Sequence, residues 1–272
     1  RPTGWSWSSL LKAATCGRLR RAAAVRFRAK RFPLWHKNMA HKTIFAIDSS
    51  GAVLTAALSH KGKIFKTVRA GVKQEEYLFP CIERLLKPRG LELRDIKRVC
   101  VVTGPGRFTG LRIGISFANV LKALSGAEVA GVTAFEAVAR QVMASAAFSG
   151  WLEKNPGGVL AVVLHAFRDE YYCQLFRRGK AFGGQLWFAR ETAEEYLLSL
   201  GKPGYCAGWA ENGAPLSPVF RLKNWFVAPK AERLRPETLL ELGAEKKPEA
   251  LLRPIYLKPA RYELEWGKVC IK

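Results

Sequence analysis

GPGRFTGLRIG, Gly104 to Gly114, sits between a near-continuous apolar run, Ile96 to Thr103, and a segment from Thr109 to Leu124 with helical periodicity. Its glycines permit positive φ and close backbone approach, and a strand-to-helix turn aims free N–H groups outward, where an anion can dock. A Walker A loop is excluded, because Gly110 is followed by Leu111 and Arg112 rather than by Lys and a hydroxyl residue. The dinucleotide fingerprint fails too, since Gly110 lies four residues after Gly106 instead of three. Spacing alone leaves two readings. One is a tight turn that lets a helix pack on a sheet; the other is an anion or nucleotide site built from Asp48, Gly104, Gly106 and Thr109.

Upstream of the loop, Thr43–Ile47, Val53–Ser59 and Lys63–Arg69 are strand candidates parted by short turns at Gly51 and Gly62, which predicts an antiparallel meander. Glu75–Lys87 has helical spacing, with Pro80 tolerable only near its first turn. Downstream come a short strand, Glu128–Val132, and a helix from Ala134 to about Ala147. A meander followed by alternating strands and helices is an α/β signature with a mixed sheet. The second half repeats the theme with strands at Val159–Leu164, Glu170–Arg177 and Gln185–Phe188, then a helix at Thr192–Leu200. The Gly- and Pro-rich text to Phe226 predicts no element; a short helix follows at Pro236–Leu242 and an extended tail from Pro254. Two related α/β lobes are expected.

With 49% hydrophobic and 25% charged residues, the chain has a globular composition, which excludes disorder and disulfide miniproteins. Its net charge of +23 invites a nucleic-acid reading, but ten basic residues fall in residues 1–38, which hold no acid, so residues 39–272 carry +13. We expect residues 1–38 to be a basic leader outside the fold, with a native start at Met39, the alternative being a transit-type presequence. No run of about 18 apolar residues predicts a membrane span. Six dispersed cysteines without a CxxC pair read as reduced thiols in a cytoplasmic protein. Four histidines show no metal-ligand spacing, so no metal site is expected.

GPGRFTGLRIG, together with IFAIDSS at Ile44–Ser50, EEYLFPCIERLL at Glu75–Leu86 and PIYLKP at Pro254–Pro259, resembles the TsaB (YeaZ) family, closely from Met39 to about Gln141 and weakly beyond. The resemblance implies a two-lobed actin-like ATPase (RNase-H-like) fold with mixed sheets: a first lobe at 39–150 and a divergent second lobe with its tail at 151–272. It implies a subunit that is not itself the catalyst. Such a subunit pairs with a TsaD homologue as a heterodimer, is joined by a TsaE homologue acting as ATPase, and meets tRNA through the complex during threonylcarbamoyladenosine formation. A homodimer is the expected state of the chain alone, and ATP or ADP is expected only in the complex, with no intrinsic cofactor.

Four positions depart from the family pattern. Gln74-Glu75 replaces a usual His-Ser, Arg107 replaces a usual Ser, and His165 stands where an acidic residue is expected after a strand. Asp48 reads either as a phosphate or metal group or as a turn acceptor. Ser49 and Ser50 lack a nucleophile elbow.

The helices around Glu75–Lys87 and Thr109–Leu124 carry more apolar positions than one buried stripe needs. Joined to the resemblance, this assigns a partner interface to Leu78, Ile82, Leu85, Gly110, Ile113, Gly114 and Phe117, with Phe117→Asp or Gly114→Trp expected to remove the partner and keep the fold. Two competing readings are an active ATPase or peptidase of the same superfamily and a direct RNA-binding protein, the latter suggested by basic clusters at Lys61–Lys73, Arg84–Arg98, Arg177–Lys180 and Arg221–Arg235.

Overall fold

The computed structural model describes residues 42–258 apart from residue 72. The expected leader and the end of the tail lie outside the described residues.

Two sheets share one topology. In the first, β1 (Ile44–Asp48), β2 (Val53–His60) and β3 (Lys63–Ala70) form an antiparallel meander, and β4 (Arg98–Gly104) and β5 (Glu128–Thr133) add in parallel beside β1, in the order β3-β2-β1-β4-β5. The second repeats this with β6 (Val159–Phe167), β7 (Glu170–Arg177) and β8 (Lys180–Ala189) antiparallel, and β9 (Gly204–Trp209) and β10 (Trp225–Val227) parallel, in the order β8-β7-β6-β9-β10. This duplicated meander-plus-parallel sheet is the two-lobed actin-like, RNase-H-like fold.

Period-two alternation sorts each strand onto two cores. Phe45, Ile47, Val99 and Val101 face α1 (Gln74–Leu86) and α2 (Phe108–Ser125) on the outer side of the first sheet. Ile44, Ala46, Cys100 and Val102 face inward, where α3 (Ala134–Met143) and α6 (Pro236–Glu245) lie between the sheets against Leu160 and Val162. Val159, Ala161 and Val163 face outward, toward Ala193 and Leu197 of α5 (Arg190–Ser199). The chain order does not respect the sheets: α6 follows the second sheet yet packs on β1, β2 and β4, and Gly243 lies so close on Cys100 that a side chain there would meet its Sγ at 2.7 Å.

Several local expectations change. The single helix expected from Ala134 to Ala147 breaks at Ser145, whose Oγ accepts from Phe148 N and starts α4 (Ala146–Lys154). Pro80 stands inside α1, in the second turn rather than the first, and is exposed, where an unpaired carbonyl meets water. The unassigned stretch before Phe226 holds β9 and the start of β10; Gly204 and Gly208 weaken the strand pattern in sequence, but both are glycine because neighbouring groups, Trp225 and the Val163 backbone, leave no room for Cβ.

Candidate functional site

The turn that ends β1 and the glycine loop that ends β4 meet face to face. Asp48 Oδ1 accepts from Ser50 N at 2.8 Å and from Ser50 Oγ at 2.6 Å. Ser49 Oγ donates to the Gly110 carbonyl at 2.8 Å, and Arg107 N donates to the Ser50 carbonyl at 2.7 Å. Gln74, at the start of α1, is buried and donates through Nε2 to the Gly51 carbonyl at 2.7 Å, tying α1 to the same turn.

The glycines of the loop are therefore beds for the chain's own atoms. A Cβ on Gly106 would stand 2.6 Å from Ser50 Cβ, one on Gly114 2.5 Å from Ser49 Oγ, and one on Gly110 would collide with the Ser49 carbonyl. Gly104, at φ +139°, has the Ile255 carbonyl oxygen 2.5 Å from where its Cβ would be. Asp48 is buried, and burial pushes its carboxyl above the ordinary aspartate range against the lowering effect of the Ser50 hydrogen bonds. Of the anion-site set, Asp48, Gly104 and Gly106 are thus engaged internally. Thr109 is exposed, on a groove it shares with Phe108, Arg112, Ile113 and Ser116.

The mouth between the lobes is crossed by the chain itself. Glu249 N donates to the Val129 carbonyl at 2.8 Å, and Glu249 Oε1 accepts from Gly131 N at 2.8 Å. Asn119 holds the Leu252 backbone through both its N–H and its carbonyl at 3.0 Å, and Ile255 N donates to the Thr103 carbonyl at 2.8 Å. Tyr256 stacks on Phe108 at 5.1 Å, with the Arg112 guanidinium 3.8 Å from the Phe108 ring on the same helix. Lys258 then reaches the second lobe, pairing with Glu170 and lying 5.3 Å from the Trp187 ring.

The expected interface set needs correction. Leu78, Ile82, Leu85, Gly110, Gly114 and Phe117 are buried inside the monomer. Phe117 is 8% exposed, edge-on to Phe45 at 5.9 Å, because the β1 face and the α1–α2 seam need a large apolar filler at that point. Ile113 is half-buried. The apolar side chains these helices offer to solvent are others: Tyr77 and Phe79 on α1, and Phe108, Val120 and Leu124 on α2. Phe79 also touches Phe117 edge-on across the seam at 6.2 Å, so the two helices present one surface. The signal that could have found them is the spacing Val120–Leu124 opposite the buried stripe Leu111, Ile115, Ala118 and Leu121.

The departing residues take structural positions. Arg107 is exposed and caps nothing at the α2 N-terminus. His165 is half-buried, with Nε2 2.7 Å from the Arg168 carbonyl. Burial pushes the Cys100 and Cys173 thiols up to about 12. Among the described residues no group of three or more His, Cys, Asp or Glu is arranged to hold a metal ion, and no helix is long and apolar enough to cross a membrane.

A family model described as TsaD, tRNA N6-adenosine threonylcarbamoyltransferase, matches residues 69–190. Among curated proteins, the chain is 28% identical over 196 residues to a "tRNA threonylcarbamoyladenosine biosynthesis protein TsaB" of Buchnera aphidicola, covering 68% of this chain and 82% of that one. It is 23% identical to the protein of that name from Bacillus subtilis, covering 82% and 97%. A solved Pseudomonas aeruginosa structure described as similar to peptidase YeaZ superposes with a TM-score of 0.58 at 22% identity, over 80% of this chain and 100% of that one, and so shares the fold. Together, the curated relatives, the shared fold and the matched family model support the TsaB (YeaZ) family for this chain.

Proposed function

We propose that this chain acts in tRNA threonylcarbamoyladenosine biosynthesis as a non-catalytic partner subunit of a TsaD homologue. The observation that carries the reading is the occupied glycine loop: Gly104, Gly106, Gly110 and Gly114 lie on Ile255, Ser50 and Ser49, while Ser50 caps Asp48. A loop bedded on its own chain has given up the close backbone approach that phosphate binding uses. Exposed Tyr77, Phe79, Val120 and Leu124 on adjacent α1 and α2 supply what an adaptor needs, an apolar surface of aromatic and aliphatic anchors.

In this reading the TsaD homologue docks on those two helices as a heterodimer, and the same face closes a homodimer when the chain is alone. A TsaE homologue supplies ATPase activity, ATP or ADP is held only in the complex, and tRNA is the substrate of the assembly in the cytoplasm. The test is co-expression with the TsaD homologue of the same source. The parental chain should co-purify, and Phe79→Asp with Val120→Asp should abolish co-purification while the far-UV circular dichroism and melting transition persist. Intact association by that double variant would move the interface elsewhere. Turnover of ATP by the chain alone would return the enzyme reading.

A further inference from the structure

The shared topology of the second sheet brings six cations from four separate segments to one end. Along the order β10-β9-β6-β7-β8, Lys223 lies two residues before β10 and Lys202 two residues before β9. Lys154 closes α4 on the way into β6, Arg177 ends β7, Arg178 forms the turn, and Lys180 opens β8. The register places these ends side by side: Val159 faces Gly204, Gly204 faces Trp225, Leu160 faces Phe176 and Arg177 faces Lys180. At about 4.8 Å per strand, the row is about 20 Å long.

Lys154, Arg178, Lys180, Lys202 and Lys223 are exposed, and Arg177 is half-buried with its guanidinium 5.0 Å from the Phe182 ring. Among the described residues none of the six pairs with a carboxylate within 4 Å, whereas Lys66, Arg98, Arg140, Arg190, Lys246 and Lys258 all do. The acids nearest in sequence are Glu153 on α4, Glu170 at the far end of β7, where it pairs with Lys258, and Glu194 and Glu195 on α5, and Glu194 Oε1 already accepts from Arg221 N at 2.8 Å. Among the described residues the row therefore keeps an uncompensated positive charge.

We propose that this edge of the second lobe is a binding surface for the RNA phosphodiester backbone. A line of cations fixed by strand ends matches a linear polyanion, and each phosphate neutralised releases condensed counterions. A membrane-surface site would need several apolar side chains to insert beside the charges; Leu198 and Phe226 are exposed near Lys202 and Lys223, but no exposed large apolar residue lies in the turn 177–180 or beside Lys154. The nine residues of β6, at about 3.3 Å each, set the row about 25 Å or more from the cleft-facing end of the sheet. It is also on the lobe opposite the one that carries α1 and α2, so a subunit docked on those helices leaves it open. The inference rests on the adaptor reading only for the identity of the RNA as tRNA.

The test measures binding of an unmodified tRNA transcript to the full chain by fluorescence anisotropy across a salt series. Arg178→Glu with Lys180→Glu, and separately Lys202→Glu with Lys223→Glu, should each weaken binding by roughly tenfold or more and lower the salt slope by about 1–2. Arg94→Glu with Lys97→Glu, an equal charge change on the first lobe, should change neither. Unaltered affinity and slope in both second-lobe variants, or an equal loss in the first-lobe control, overturns the proposal. So does stronger, equally variant-sensitive binding to vesicles of phosphatidylserine and phosphatidylcholine. Co-purification of the parental chain with the TsaD homologue separates the two readings: its failure, with variant-sensitive RNA binding intact, refutes the adaptor and leaves the RNA surface standing.

Discussion

Ser49 and Gly110 hold each other in both directions: the Ser49 hydroxyl donates to the Gly110 carbonyl at 2.8 Å, and the Ser49 carbonyl occupies the space a Gly110 side chain would need. The first-strand turn and the α2 helix are 61 residues apart in sequence and share one contact with no tolerance for a methyl group.

Gly110→Ala should therefore destabilise the protein by about 1–3 kcal/mol or more, the usual cost of overpacking against backbone that cannot yield. Urea unfolding followed by circular dichroism measures it. Gly126→Ala is a poor control because that glycine is left-handed at φ +71°; Gly150→Ala, mid-helix in α4 with open space around its Cβ, should instead stabilise by about 0.5–1 kcal/mol.

Phe117 and Leu124 lie on the same helix with opposite exposures, 8% and 81%. Phe117→Asp should leave little folded protein, since it removes a buried ring worth about 3–5 kcal/mol and installs a buried charge. Leu124→Asp should melt within about 1 °C or so of the parent, as surface changes do, and show its effect in partner binding instead. A folded Phe117→Asp variant would contradict the core packing described above.

Asp48 sets an acid-side pH dependence. Its folded-state pKa lies above the ordinary 3.8, so the native state holds its proton more tightly than the unfolded chain does. That contribution is fully present below the unfolded value and is lost as pH rises through the folded one. Asp48→Asn keeps the acceptor for Ser50 and removes the buried charge, so it should stabilise the protein at neutral pH. The parent's loss of stability above the ordinary aspartate value should be absent in the variant, as read from urea midpoints between pH 4 and 8. A variant less stable than the parent at pH 7 would point to an ionised Asp48 with a cation partner.

The strap across the cleft should contribute measurably to stability. Leu252, 2% exposed and held by Asn119 on both sides, should cost about 2–5 kcal/mol on substitution by Ala. The Lys258–Glu170 pair is partly exposed and should matter less, about 1 kcal/mol or below in Lys258→Met. Limited chymotrypsin digestion after the exposed Tyr256 should accelerate in the Leu252→Ala variant first.

The buried thiols give a chemical check. With Cys100 and Cys173 pushed up to about 12 and Cys206 also raised, iodoacetamide at pH 8 should label these three slowly in the native protein and fully after denaturation. Peptide mass spectrometry reads the ratio, and rapid native labelling of Cys100 would place it outside the core.

Most of the fold was legible because strong periodicity survives in short windows. The meander Thr43–Arg69, the apolar strand before Gly104 and the helix after it all follow from neighbouring residues. The weak second half was harder to read: β9 carries glycines at 204 and 208, where Trp225 and the Val163 backbone come too close for any side chain, and nothing within six residues announces those neighbours. The interface suffered the same way. Helical spacing showed that α2 has apolar residues on more than one side, but which side meets β1 depends on Phe45 and Ser49, far away in the chain.

The sequence by itself determined most element types of the first half, the glycine loop and the family resemblance, because these depend on local propensity and spacing. Only the tertiary structure decided what the loop does. Its glycines could have faced a phosphate or the protein, and the choice was made by Ser49, Ser50 and Ile255 arriving from both ends of the chain to fill the space. Likewise the excess charge became a directed feature only when parallel and antiparallel strands aligned Lys202, Lys223 and Arg178 at one edge, since strand order, not sequence order, sets which charges are neighbours.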